Sequence, residues 1–290
     1  MTGKERTALV LYFVLAFAIT WTAQIAGMNM AQGSGLPLSN EDNFNHFLAL
    51  LSGDMRLPYL VFTAGAGPLL AALIVLAIFE GREGLKSLFA QTSVSRISLR
   101  WLVIILLLPI ALSLVSLLIG MLSNGMKLLE MHPKLPAAYF LPFLLYMIVF
   151  TGFWEEPGWR GFALPRLQKY YNAETSSWIL GMLWGAWHIP VNIYLNWEAG
   201  PTVIIPLIVG LLLGTVGWTI VNTWVYNNTQ SLLLMIILHG WTNTVQSYLV
   251  LSTGNMAAMS IFSILPWALA IYLTKKYGKE NLSPSLRPQI

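Results

Sequence analysis

The chain has 290 residues, of which 56% are hydrophobic and only 10% charged; a soluble domain carries about 25% charged residues, so this composition excludes an ordinary solvated surface. It has no cysteine, which excludes a disulfide framework, thiolate metal sites, a cysteine nucleophile and lipid attachment through cysteine. The net charge of +4 comes without any dense basic cluster, so nucleic acid is not an expected partner.

A bilayer core about 30 Å thick is crossed by roughly 17 to 25 mostly apolar residues. Taken in chain order, runs of that kind fall at 8–26, 57–79, 101–122, 137–153, 177–195, 202–221, 232–251 and 257–273. They are long and do not alternate, which predicts helices rather than strands. The first run is long for the apolar region of a secretory leader and is read as an uncleaved helix. The fold expected is all-α: one polytopic transmembrane bundle of about eight helices, a single integral membrane domain over 1–290. Twelve Trp and eleven Tyr suit interfacial belts.

The basic residues orient this bundle. With eight spans and a cytoplasmic N-terminus, the cytoplasmic side receives thirteen of the sixteen Lys and Arg residues, and the outer side only Arg56, Lys127 and Lys134. Basic residues concentrate on the cytoplasmic side of membrane proteins. Both termini are therefore expected in the cytoplasm, in a multi-pass protein of the cell membrane, with 28–54 as the main outer loop. Gly210 and Gly214 form a small-xxx-small pattern, expected to mark close helix packing. No internal repeat of the kind found in many transporters is visible.

Most of the apolar runs hold no ionisable residue, and the exceptions lie in the second half. Glu155 and Glu156 follow the fourth run, within Trp154-Glu155-Glu156-Pro157-Gly158-Trp159-Arg160; His188 lies in the fifth run and His239 in the seventh. Such groups are costly at membrane depth and are expected to face a bundle interior or a wet cavity. His239 and Asn243 stand four apart and share one helix face. Pro157 suits the first position of a helix, so a new helix is expected to begin near it, with the carboxylates at its N-terminal end. Each group has a plain structural reading: a solvated ion cluster for Glu155, Glu156 and Arg160, a packing residue for His188, an interhelical polar clasp for His239 and Asn243. Together they also form a set suited to activating water and stabilising an oxyanion. Glu155, His188 and His239 are equally close to a two-His, one-Glu zinc set, although no HExxH helix is present.

These residues resemble the motifs of the CPBP family, the CAAX proteases and bacteriocin-processing enzymes. Those motifs are EExxxR, an aromatic followed by xxxH, and HxxxN. Here they read Glu155-Glu156-Pro157-Gly158-Trp159-Arg160, Trp184 to His188 (with Trp where the family usually has Phe), and His239 to Asn243. The resemblance covers a core at about 150–251. It implies an intramembrane endopeptidase, without cofactor, acting on membrane-anchored or lipidated peptides, prenylated CAAX-type substrates among them. Glu155 would be the general base, His188 would position or polarise the water, His239 and Asn243 would form the oxyanion hole, and Glu156 and Arg160 would orient the site. The glutamates are expected near the cytoplasmic face, which suits substrates arriving from the cytoplasm or inner leaflet. The alternatives are a zinc metalloprotease using Glu155, His188 and His239, and, in a different class, a non-catalytic scaffold, a bacteriocin-immunity protein or a transporter.

Overall fold

The computed structural model describes residues 2–34, 38–53 and 65–284. Part of the second expected run, and Asp54, Arg56 and Arg287, lie outside the described residues. The protein is a helical bundle with no strand among the described residues. In chain order the helices are α1 (Gly3–Ser34), α2 (Asn40–Leu51), α3 (Gly67–Phe79), α4 (Gly81–Ala90), α5 (Leu99–Ser123), α6 (Ala137–Gln168), α7 (Ala173–Trp187), α8 (Ile189–Leu195), α9 (Pro201–Thr229), α10 (Leu232–Val245) and α11 (Met256–Tyr277).

Among the described residues, α1, α5, α6, α9 and α11 are long and apolar enough to cross a membrane. The other expected runs are also helical but short or broken. Thirteen residues of α3 are described, α7 and α8 are separated at His188, and α10 passes into a wider turn over Gln246–Val250. Large apolar side chains on the outside, such as Ile78, Leu107 and Leu141, are more than half exposed. Lipid is the environment in which such a surface costs nothing.

The helix ends sort into two sets. At one end of the bundle, Arg166 pairs with Glu80 at 2.6 Å and Lys169 with Glu5 at 3.6 Å. There the Ala173 N–H also donates to the Glu280 carbonyl at 2.9 Å, so the first and last described segments meet at the same end. At the opposite end, Lys134 approaches Asp42 at 3.7 Å, and the His132 N–H donates to the Ser252 carbonyl at 2.8 Å.

α6 departs from expectation. No new helix begins at Pro157. A continuous 32-residue helix runs through the carboxylates to Gln168, with π-helical turns at Ile148–Phe153 and Pro157–Ala163 flanking Trp154–Glu156. Glu156 and Pro157 both keep right-handed helical angles. Pro lacks an N–H to give to the preceding turn, and a wider turn is a common way for a helix to absorb a break in its hydrogen-bond ladder. At 1.5 Å per residue, Glu155 lies about 27 Å from one end of α6 and about 20 Å from the other. The carboxylates are therefore at mid-helix rather than beyond the end of a span.

Close packing falls on one glycine of the expected pair: Gly210 has open space around it, whereas a Cβ on Gly214 would stand 3.1 Å from the Ser263 carbonyl oxygen of α11. The tight contact is between α7 and α9, where a Cβ on Gly181 would come within 2.6 Å of the Val216 Cα and the Thr215 hydroxyl donates to the Gly181 carbonyl at 2.9 Å. Overpacking such a contact costs about 1–3 kcal/mol. Gly181→Leu is expected to lower the thermal midpoint in detergent, and Gly210→Ala to leave it unchanged; equal midpoints for the two variants would contradict this packing.

Candidate active site

α6 and α10 cross closely where Gly240 of α10 meets the Ile148 backbone; a Cβ there would stand 2.6 Å from the Ile148 nitrogen. That approach brings His239 and Asn243 alongside the carboxylates. Glu156 is fully buried. Its Oε1 accepts from Arg160 Nη1 at 2.9 Å, one helical turn on, and from His239 Nδ1 at 2.8 Å. Arg160 is equally buried. Its guanidinium lies 4.6 Å from the centre of the Trp184 ring, and its Nη2 donates to Thr219 Oγ1 at 3.5 Å. Glu156, Arg160 and His239 thus form one tie between α6 and α10, with α7 and α9 covering the guanidinium.

Glu155 points the other way. Its Oε2 accepts from Trp184 Nε1 at 2.9 Å, and its Oε1 lies 4.0 Å from His239 Nε2. His188, at the break between α7 and α8, donates from Nδ1 to the Trp184 carbonyl at 2.8 Å. With Nδ1 carrying the proton, Nε2 of the neutral ring is an acceptor. Asn243 donates to Thr151 Oγ1 at 3.2 Å, which engages one of its two amide hydrogens.

Glu155, His188, His239 and Asn243 all line one cavity of about 450 Å³, with Tyr146, Phe150, Trp184 and Trp187 among its apolar walls. Glu156 and Arg160 are absent from the lining and stand behind it. The six candidate residues therefore form two layers: four at the cavity wall and two as buried support. Among the described residues no group of three or more His, Asp or Glu is arranged to hold a metal ion.

The two layers respond differently to loss of charge. Removing one partner of a buried ion pair strands the other and costs about 3–5 kcal/mol. Glu156→Gln is expected to reduce yield and thermal midpoint in detergent, whereas Glu155→Gln is expected to fold as the parent does. A Glu156→Gln protein as stable as the parent would show that Arg160 finds another counter-charge.

The sequence reading passed over Trp184 as more than an aromatic. Its indole N–H holds the Glu155 carboxylate, which a Phe at that position could not do. The signal was present: Trp184 is the residue at which this chain departs from the usual motif. Thr151, one helical turn before Glu155, was also missed; as an ordinary helical Thr it gives no sign that it will meet Asn243.

A model of the Type II CAAX prenyl endopeptidase Rce1-like family matches residues 137–245, the stretch that holds all six residues. CAAX prenyl protease 2 of Methanococcus maripaludis is 24% identical over 279 residues, covering 94% of this chain and 96% of that protein. The chain is thus similar to CAAX prenyl proteases, over the stretch that carries the six residues and, at lower identity, over most of its length. It is a multi-pass membrane peptidase that works within a lipid bilayer on peptide substrates. In this protease the cavity runs from Glu155, Asn222 and Leu238, at mid-bundle, to Ser39, Leu195 and Leu251 at the end of the bundle away from Arg166 and Lys169.

Proposed function

We propose that the protease hydrolyses peptide bonds of membrane-associated substrates through a water activated by Glu155. The observation that carries this reading is the two-layer site: one carboxylate, two imidazoles and an amide face a single cavity, and a buried ion pair fixes them from behind. Glu155 takes a proton from water, and the hydroxide adds to the scissile carbonyl. The oxygen of that carbonyl gains the negative charge, which Asn243 and His239 stabilise as donors. With Nδ1–H committed to Glu156, His239 donates from Nε2 only as the imidazolium. Nε2 of His188, free to accept, orients the water. Collapse of the tetrahedral intermediate breaks the C–N bond, and Glu155 returns its proton to the leaving amine.

The relative in Methanococcus maripaludis is named a CAAX prenyl protease, so a prenylated CAAX peptide is one substrate to test. A cavity of about 450 Å³ also admits a few residues of an unlipidated peptide. The test is purified protein incubated with a prenylated CAAX peptide and with membrane-tethered peptides lacking a prenyl group, with and without chelator. Cleavage that withstands chelation supports the water–glutamate reading. Cleavage lost with chelator and restored by zinc replaces it with the metal reading through Glu155, His188 and His239. No cleavage of any peptide favours a non-catalytic role.

A further inference from the structure

A second cleft, of about 200 Å³, lies at the end of the bundle where α1 begins and α6 finishes. It shares no residue with the catalytic cavity. Its polar walls are Lys4 and Glu5 in the first turn of α1, Glu80 just after α3, and Arg166, Lys169 and Tyr170 at the end of α6. The two carboxylates are committed within the fold. Glu80 Oε1 accepts from Arg166 Nη2 at 2.6 Å. Glu5 Oε2 accepts from the Thr2 N–H at 3.1 Å, from the Thr2 hydroxyl at 2.9 Å and from the Tyr170 hydroxyl, and its Oε1 stands 3.6 Å from Lys169 Nζ. Positive charge is in excess, with three cations against two carboxylates, and Lys4 forms no ion pair among the described residues. Arg166 is held in place: its guanidinium lies 3.9 Å from the centre of the Phe162 ring, and its Nη1 donates to the Phe162 carbonyl at 3.0 Å. A guanidinium has five N–H donors, so further donors remain for a ligand.

The floor of this cleft is apolar, formed by Ala8, Leu9 and Phe79. One residue deeper along each helix, Val10 is 55% exposed and Ile78 64% exposed, on a surface suited to lipid. The cleft therefore stands where the lipid-facing part of α1 and α3 gives way to charged side chains, the level at which phospholipid headgroups lie. Basic pockets between membrane helices take phosphate-bearing headgroups. We propose that this cleft binds the headgroup of an anionic phospholipid, with Lys4, Arg166 and Lys169 on its phosphodiester and its acyl chains against Val10 and Ile78. The single excess positive charge matches one phosphodiester. A zwitterionic headgroup such as phosphocholine fits less well, because it brings a cation of its own to carboxylates that already have partners. An occupied site ties α1 and α3 to the end of α6. The proposal rests on the fold and the membrane setting, and it is independent of the peptidase reading.

The test is ligand binding by the whole protein in detergent, read by native mass spectrometry and by the thermal midpoint. Phosphatidylglycerol, phosphatidylcholine and inorganic phosphate are added separately. Phosphatidylglycerol is expected to remain bound and to raise the midpoint, and the other two to do so far less. Lys4→Gln/Lys169→Gln removes two of the three cations and is expected to weaken phosphatidylglycerol binding roughly thirtyfold, the combined effect of two basic residues at a membrane surface. Lys86→Gln removes a cation of α4 that is paired with Glu83 at 2.7 Å outside the cleft, and it should bind lipid as the parent does. Midpoints without added lipid show which variants are folded. If the double variant is not, Lys4→Gln alone carries the test with a loss of roughly fivefold, since it breaks no ion pair among the described residues. Undiminished binding by a folded Lys4 variant, or an equal loss in Lys86→Gln, would overturn the site. A rise in midpoint with inorganic phosphate as large as with phosphatidylglycerol would overturn the lipid as ligand. Equal binding of phosphatidylcholine would overturn the anionic class.

Discussion

Glu155→Gln is expected to bring peptide cleavage down to near background. The substitution keeps the size of the side chain, and the amide oxygen can still accept from Trp184 Nε1, which holds the carboxylate at 2.9 Å in the parent. The group stays in place and loses only its capacity to take a proton. General-base catalysis contributes about 10²–10⁴-fold, and the same residue is asked to return the proton to the leaving amine, so the loss should fall toward the upper part of that range. The measurement is the initial rate on a peptide that the parent cleaves, with thermal midpoints compared to show that both proteins are folded. Full activity in a folded Glu155→Gln protein would refute the assignment of the base and leave only the similarity to CAAX prenyl proteases standing.

Asn243→Ala tests the other half of the site. The amide reaches Thr151 Oγ1 at 3.2 Å, and that hydroxyl also donates to the Met147 carbonyl at 2.6 Å. Truncation therefore leaves Thr151 with a partner, and the fold should tolerate it. Loss of one oxyanion donor slows turnover by about 10²–10³-fold. The lost interaction forms mainly in the transition state, so kcat should fall while KM changes little. A large rise in KM with kcat preserved would instead make Asn243 a substrate-binding residue.

Much of the bundle was legible because membrane depth demands long apolar runs, and each of the eight runs falls mainly on helical structure where it is described, broken at positions such as His188 and Leu265. The site residues were legible for a related reason: Glu155, His188 and His239 stand out in segments that otherwise carry no ionisable group. The course of α6 was not legible. Pro157 signals a helix start by local preference, and nothing in the sequence announces that two π-helical turns carry the helix through it. The cavity's direction was hidden as well. Glu155 is adjacent in sequence to a basic segment, but which way its side chain opens depends on Trp159 and Phe162 filling one side and on α2 and α8 standing back on the other. The Gly210–Gly214 pattern was informative only in part, because spacing alone does not say which helix lies opposite: Gly214 meets Ser263, Gly210 meets nothing, and α7 supplies Gly181 and Gly185 against α9.

The wide turns of α6 have a consequence for how the chain tolerates changes in length. A helix advances about 100° around its axis with each residue. A wide turn holds about one residue more than an α-turn over nearly the same rotation, so removing one residue between Ile148 and Phe153 would let that turn relax to ordinary α geometry with Glu155 and Glu156 still facing Trp184 and His239. Removing one from the α-helical turns of Phe140–Met147 would instead rotate everything after it by that angle relative to everything before, with no amino-acid substitution at either carboxylate. The wide turn is thus the place in α6 where a residue can be lost at least cost, and a deletion in the α-helical turns should prove the more damaging.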